Sequence, residues 1–258
     1  MPQAFPFSET LEEIGEAAGF FGSFFRNLFK KGFEWEEFFR QAFMIGYKSV
    51  GIVLLTGFIL GFVLTLQSLP TLKQFGTTSF APGMVSVSMI REIGPVIVAL
   101  ICAGKIASGI GAELGSMNVT EQIDAMAVSG ANPMQFLVVT RILVCTFMIP
   151  LLTIMADGIG MIGGYVGMNV TGEMTAQLYF SKSVLALDFT DLVPAFIKTI
   201  LFGFIIGFVG CYKGFHSNRG TESVGLAANS SVVTASIWII LVDAVVVQLT
   251  NIIVYNHG

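Results

Sequence analysis

The sequence is short of charge. Only 12% of its 258 residues are Asp, Glu, Lys or Arg, about half the share of a soluble globular domain. Hydrophobic residues make up 54% and mean hydropathy is +0.79, so the excess apolar surface must face something other than water. Cysteine is equally sparse. Cys102, Cys145 and Cys211 lie in or beside apolar segments, at spacings that fit neither a zinc site nor a disulfide framework, and read as inert buried thiols. His216 and His257 are far apart and give no metal constellation. Nucleotide-binding and hydrolytic motifs are missing too. Lys105 follows Gly104, but Ala99 stands where a phosphate-binding loop needs its first glycine, and Ile106 where it needs Ser or Thr. No G-x-S-x-G, H-E-x-x-H or C-x-x-C occurs. The chain therefore reads as a non-enzyme with no catalytic residues, no metal and no cofactor of its own. If it pumps, the energy comes from a partner or an ion gradient. The net charge of −4 says little, and no nucleic-acid partner is expected.

What is present is long apolar segments. Five stretches, roughly 42–69, 83–104, 134–166, 191–213 and 230–255, each meet or exceed the ~20 residues a helix needs to cross the hydrocarbon core. The expected fold class is an all-α integral membrane protein of about five transmembrane helices. The third stretch would run ~50 Å as a helix, so it must tilt, project or bend, and Pro150 and the Gly158–Gly164 cluster are the places to bend. Small-xxx-small pairs recur at Gly57/Gly61, Gly160/Gly164, Gly163/Gly167, Gly203/Gly207 and Gly210/Gly214. They predict close helix packing and no particular activity.

Residues 1–41 form a separate N-terminal region ahead of a membrane domain spanning 42–258. Residues 8–40 mix Glu9, Glu12, Glu13, Glu16, Arg26, Lys30 and Lys31 with Phe20, Phe21, Phe24, Phe25, Leu28 and Phe29. An acidic start with no basic n-region and no cleavage site argues for a retained segment rather than a signal peptide. Thr10 and Glu13 suggest a capping box. The pattern predicts an amphipathic helix in the interface plane, its Phe side in lipid and its basic residues at the head groups. The alternative is a soluble amphipathic helix packed on a partner. Gly32 is expected to end it before Phe33–Arg40.

Orientation follows from the basic residues. A cytoplasmic N-terminus puts Arg26, Lys30, Lys31, Arg40, Lys48, Lys105, Arg141, Lys213 and Arg219 inside. Only Lys73 and Lys182 remain outside, with Glu173, Asp188 and Asp191. The positive-inside rule then gives N-in, C-out.

Ionisable residues at membrane depth are functional candidates by default. Arg91 and Glu92 fall midway through the second span, Asp157 late in the third, Lys198 early in the fourth and Asp243 past the middle of the fifth. Arg91 lies ~12 Å and Lys198 ~10 Å from the outer start of their spans. Such a cluster could hold a lipid head group while acyl chains lie on apolar helix faces. Alternatively, Arg91–Glu92 and Lys198–Asp157 are structural pairs that lock the bundle. Arg91 and Glu92 point about 100° apart on a helix and need different partners.

The second informative region is Gly104–Pro133, Gly- and Ala-rich and cytoplasmic on this topology. Asn118 and Glu121 suggest a capping box, Ile123 and Met126 an apolar stripe, and Gly130 with Asn132–Pro133 a stop. A short helix, acidic through Glu121 and Asp124, fits either a docking knob for a cytoplasmic partner or an interfacial connector.

The run REIGPVIVALICAGKIASGIGAELGSMNVTEQIDAMAVSGANP, Arg91–Pro133, resembles the signature of the MlaE/YrbE permeases. R-E-x-G-P, A-G-[KR]-x-x-S, A-E-x-G-x-M and T-E-Q-[IL] follow in order. The five spans, the N-terminal helix and the NSSVV stretch at 229–233 extend the likeness over nearly the whole chain. Lys105 stands where arginine is often found. The resemblance implies the membrane subunit of an ABC transporter in the bacterial inner membrane. It implies a homodimer with two copies of a cytoplasmic ATPase that holds the ATP–Mg, sometimes with a STAS-domain protein. A hexameric MCE-domain protein would sit in the periplasm above. The implied cargo is phospholipid moving between inner and outer membranes, which maintains outer-membrane lipid asymmetry. Glu113–Val128 would then include the coupling helix, with Glu113, Glu121, Gln122, Ile123, Asp124 and Met126 serving the ATPase. Arg91 and Glu92 would lie near an outward-opening lipid cavity at the dimer interface. The competing reading is an ion-coupled secondary transporter of an amphipathic substrate, using Glu92, Asp157 and Asp243 as proton relays, although no inverted repeat is found. A scaffold without transport would leave the charges at membrane depth unexplained.

Overall fold

The computed structural model describes residues 6–30, 32–170, 174–218 and 220–256, the side chains of 6–14, 221 and 254–256 excepted. The sequence expectations placed on Lys31, Glu173, Arg219 and His257 lie outside the described residues. Among the described residues every element is a helix: α1 Pro6–Leu28, α2 Trp35–Gln74, α3 Thr78–Val119, α4 Gln122–Val128, α5 Met134–Asn169, α6 Ala176–Leu185, α7 Phe189–Phe215 and α8 Thr221–Asn256. Five of them, α2, α3, α5, α7 and α8, are long and apolar enough to span a membrane.

The crossings are set by glycine. A methyl group on Gly61 would collide with the Gly160 carbonyl, and one on Gly57 would come within 2.5 Å of the Ala156 carbonyl oxygen. Hence α2 and α5 touch backbone to backbone, the most extensive packing in the molecule. Gly203 and Gly207 meet Cys145 and Ile142 on α5, while Gly210 and Gly214 meet Ala107 and Gly111 on α3. Each small-xxx-small pair read in the sequence sits at a helix crossing, where close approach lets dispersion act in the absence of a hydrophobic drive. Cys102, Cys145 and Cys211 are free and buried.

Burial is uneven. In the most apolar window of each helix, α5 is 67% buried and α8 only 11%. Thus α5 is the axis of the bundle, with α2 and α7 on it, and α8 is the outermost wall.

Four turns widen into π geometry, at Phe43–Tyr47, Met89–Ile93, Ala103–Ala107 and Met134–Val139. The second has a local cause. Pro95 has no N–H for the carbonyl of Arg91, and a widened turn absorbs the lost bond without breaking the helix. Lys105, in the third, donates from Nζ to the carbonyl of Lys48 and ties α3 to α2.

Four expectations change at the ends of the bundle. The second span continues far beyond residue 104, because the Gly- and Ala-rich stretch stays helical to Val119 and packs against α7 and α8. Asn118 is therefore inside α3 rather than a cap, and its amide donates to the carbonyls of Phe215 and Ser217. Likewise α1 is already helical at Pro6, so Thr10 is interior rather than a cap. The Phe residues of α1 divide: Phe20 and Phe24 are buried against Phe204, Phe208, Tyr212 and Phe215, while Phe21, Phe25 and Phe29 stay exposed. The helix is thus packed on its own bundle by one face, while its other face leaves Phe21, Phe25 and Phe29 open to the surroundings. Gly32, at φ +96, separates it from α2 as expected. At the opposite side, α6 is a helix that the hydropathy pattern did not suggest. It packs on the start of α3, with Tyr179 buried.

Candidate functional site: a charged cluster between three spans

The π turn of α3 gives two adjacent side chains separate partners on α7 and α8. Glu92 Oε2 accepts a hydrogen bond from Lys198 Nζ on α7 at 2.7 Å. The same nitrogen donates to Asp243 Oδ1 on α8 at 2.8 Å. Arg91 donates from Nη2 to Asn251 Oδ1 on α8 at 3.0 Å, and its Nη1 lies 3.6 Å from Asp191 Oδ1 on α7. The five groups, with Asn251, join α3, α7 and α8 at membrane depth.

The two halves differ in exposure, and that difference assigns them different work. Lys198 is 2% exposed and bound by two carboxylates, so its charge is spent on holding three helices together. Arg91 is 40% exposed, with one long ion pair and one neutral partner. A guanidinium in that state keeps free N–H donors in the planar fork that suits phosphate. The enclosed pit beside it holds about 10 Å³, room for roughly one water. An anion would therefore have to reach Arg91 from the open side.

Asp191 and Asn251 escaped the sequence reading as site residues. Yet Asp191 is seven positions before Lys198, and Asn251 eight after Asp243, two helical turns along the same faces. The polar stripe was there to be counted.

Asp157 does not join this cluster. The alternative Lys198–Asp157 pair is absent, because Lys198 turns to Glu92 and Asp243. Ala195 of α7 lines both the pit and a second, apolar cavity that holds Asp157. The Asp157 carboxylate lies directly over Gly94, where any side chain would overlap it. Its Oδ1 is buried with no hydrogen-bond partner among the described residues.

At the amino-terminal side, α4 forms a knob between α3 and α5. Glu121 precedes it in left-handed conformation, φ 57, which turns the chain sharply after Val119. Ile123 is buried and Met126 packs partly on the core, while Glu121, Gln122 and Asp124 are exposed. Val128 is 90% exposed. Glu113 lies apart on α3, where it accepts from Arg141 Nη2 at 2.8 Å. Arg141 is 1% exposed, so this pair clamps α3 to α5.

The sequence is similar to known proteins along most of its length. The profile of the family described as Permease MlaE matches residues 38–249. A probable ABC transporter permease of Rickettsia typhi is 34% identical over 210 residues, 81% of each chain. A probable ABC transporter permease of Synechocystis is 33% identical over 195 residues, 76% of this chain and 74% of that one. The Arabidopsis thaliana protein named trigalactosyldiacylglycerol 1, chloroplastic, is 30% identical over 218 residues, 84% of this chain and 62% of that one.

Proposed function

This chain belongs to the MlaE permease family, as a multi-pass permease subunit of ABC-transporter type, and we propose that its cargo is phospholipid. The observation that carries the reading is Arg91, a half-exposed cation at membrane depth with unspent N–H donors. In hydrocarbon a charge is tolerated only facing a polar partner, and the phosphate of a lipid is the anion that membrane depth supplies. A diacylglycerol-based lipid in the name of one relative, the Arabidopsis protein, supports a lipid cargo.

The working assembly we propose is a homodimer in the bacterial inner membrane, N-terminus cytoplasmic and C-terminus periplasmic. The least buried spans, α2 and α8, supply the faces for a second copy. A cytoplasmic ATPase carrying ATP–Mg docks on α4, where Glu121, Gln122 and Asp124 face out and Ile123 roots the knob in the core. A periplasmic MCE-domain protein receives the lipid, and a STAS-domain protein joins the ATPase side. Movement at α4 passes through α3 to the Arg91 turn, because α3 runs from one to the other without a break. Transfer between inner and outer membranes maintains lipid asymmetry.

The test is reconstitution of the permease with its ATPase and MCE partners in vesicles, followed by ATP-dependent transfer of a fluorescent phospholipid. Transfer that falls at least tenfold in Arg91→Ala, with the complex still assembled, supports the reading. Unchanged transfer in that variant, or none in the wild type, refutes it.

A further inference from the structure

We propose that Arg141 is a positioning residue that exchanges carboxylate partners, from Glu113 on α3 to Glu37 on α2, when the α4 knob moves. The stems of the knob set the problem. The Gly94–Cys102 part of α3 packs on α5, but the Ser108–Val119 part packs on α7 and α8. Nearer the knob, α3 is tied to α5 by Arg141, which donates from Nη2 to Glu113 Oε1 at 2.8 Å. Its Nη1 is spent on the carbonyl of Leu137 at 2.9 Å. Its Nε is buried with no hydrogen-bond partner among the described residues. Glu113 lies six residues before Val119, so movement of α4 relative to α5 pulls on this bond. Losing it outright would strand a buried guanidinium, and removing one partner of a buried pair is the costly case. The two ends are unequal, Arg141 being 1% exposed and Glu113 50%. Glu113 can leave into water, and Arg141 cannot follow.

A replacement carboxylate is at hand. The first turns of α2, Trp35–Ala42, pack on α5, and the side chain of Glu37 there is only 5% exposed. Glu37 accepts from Nε and Nη2 of Arg40 at 2.7 and 2.9 Å, and from Gln41 at 2.8 Å. Arg141 lies within electrostatic reach of Glu37, and Arg40 within reach of Glu113. The four groups thus form two ion pairs with a second pairing open to them. Arg40 is 65% exposed, so water solvates it once Glu37 turns to the vacant Nε of Arg141. A buried cation with two carboxylates in reach passes from one to the other without standing unpaired, which a single pair does not allow. The exchange ties the knob to α2 as well as to α3, and α2 is the span packed most extensively on α5.

The inference rests on the proposed docking of an ATPase at α4, and its first test needs only the permease. Glu37→Gln, Glu113→Gln and the double variant are compared by thermal unfolding in detergent. Each single variant leaves Arg141 one carboxylate and should stay folded. The double variant leaves none, and its loss of midpoint should be about twice the sum of the single losses or more, since groups that serve one partner are not additive. Additive losses overturn the exchange, because Glu37 then serves Arg40 alone. The second test is ATP hydrolysis by the assembled transporter. Glu113→Gln frees the knob and should raise the basal rate about fivefold, the scale of one half-exposed charge-assisted bond. Glu37→Gln removes the second partner and should lower the rate by a similar factor, and Glu37→Asp should recover most of it. A merely structural pair moves both variants in the same direction; that outcome, or no change in either, overturns the inference. If Glu121→Lys still releases the ATPase when these results are negative, the inference fails alone. If the ATPase stays bound, the docking reading fails as well.

Discussion

Removing Lys198 should be far more damaging than removing the carboxylates it binds, and restoring neutrality should repair the damage. Glu92 Oε2 and Asp243 Oδ1 lie 2.7 and 2.8 Å from one nitrogen, so at most about 5.5 Å from each other. Without the ammonium, two like charges at that separation repel by about 3 kcal/mol at an effective dielectric of ~20. Breaking a buried pair by deleting one partner costs roughly 3–5 kcal/mol. Glu92 is 37% exposed, so solvent takes up part of this and the lower figure applies. Lys198→Met therefore should destabilise by about 3 kcal/mol. On the scale of soluble domains of this size that is a drop of roughly 6–12 °C in thermal midpoint. The triple variant Lys198→Met, Glu92→Gln, Asp243→Asn leaves similar shape without charge and should recover most of the loss, as neutral replacements of buried ion groups do. The assay is thermal unfolding in detergent followed by size exclusion, run as a double-mutant cycle. If Lys198→Met is as stable as the wild type, or the triple variant is no better than the single, the cluster is not the clamp described here.

Arg91→Lys should retain more lipid transfer than Arg91→Ala but stay below the wild type, since a lysine has charge without the planar fork; equal transfer by Lys and Ala variants would remove the phosphate argument. Glu121→Lys should weaken co-purification of the ATPase while the permease still elutes as a folded species, because Glu121 is exposed beside α4; normal co-purification would detach α4 from coupling. Gly61→Val should cost about 1–3 kcal/mol or more by overpacking, read as lost monodisperse protein, because the Gly160 carbonyl occupies the space. Gly15→Ala, with nothing near its Cβ position, is the silent control.

Hydropathy made the five spans legible, and glycine spacing made their crossings legible, because both are local properties of one chain segment. What stayed hidden was whatever depends on how a helix faces its neighbours. The Ala- and Gly-rich stretch after Gly104 looks like a loop by composition, but small residues at a close crossing have the same composition. Asn118 looks like a cap because capping chemistry and carbonyl-binding chemistry use the same amide. The partner of Lys198 could not be chosen between Asp157 and Asp243 from depth alone, since both lie at suitable levels. Only rotation about the helix axis separates them, and the π turn before Pro95 alters that rotation locally.

That rotation also explains why one dipeptide can serve two purposes. Glu92 is held by the buried lysine, and Arg91, next to it, has only a loose pair to Asp191 and a neutral amide. The inner half is a lock: three helices share one nitrogen, and none can shift without exposing an unpaired charge to hydrocarbon. The outer half is a handle, with donors to spare. A transporter that moves α8 against α3 and α7 must loosen Asp243 from Lys198, and an incoming lipid phosphate on Arg91 lies one residue from Glu92, which shares that lysine. Cargo and conformational state are then coupled through the backbone of a single widened turn, the sort of local geometry that recurs where helices carry function. The coupling requires adjacency, so moving the cation one turn along α3, as in Arg91→Ala with Ser88→Arg, should restore a charge to the region without restoring transfer.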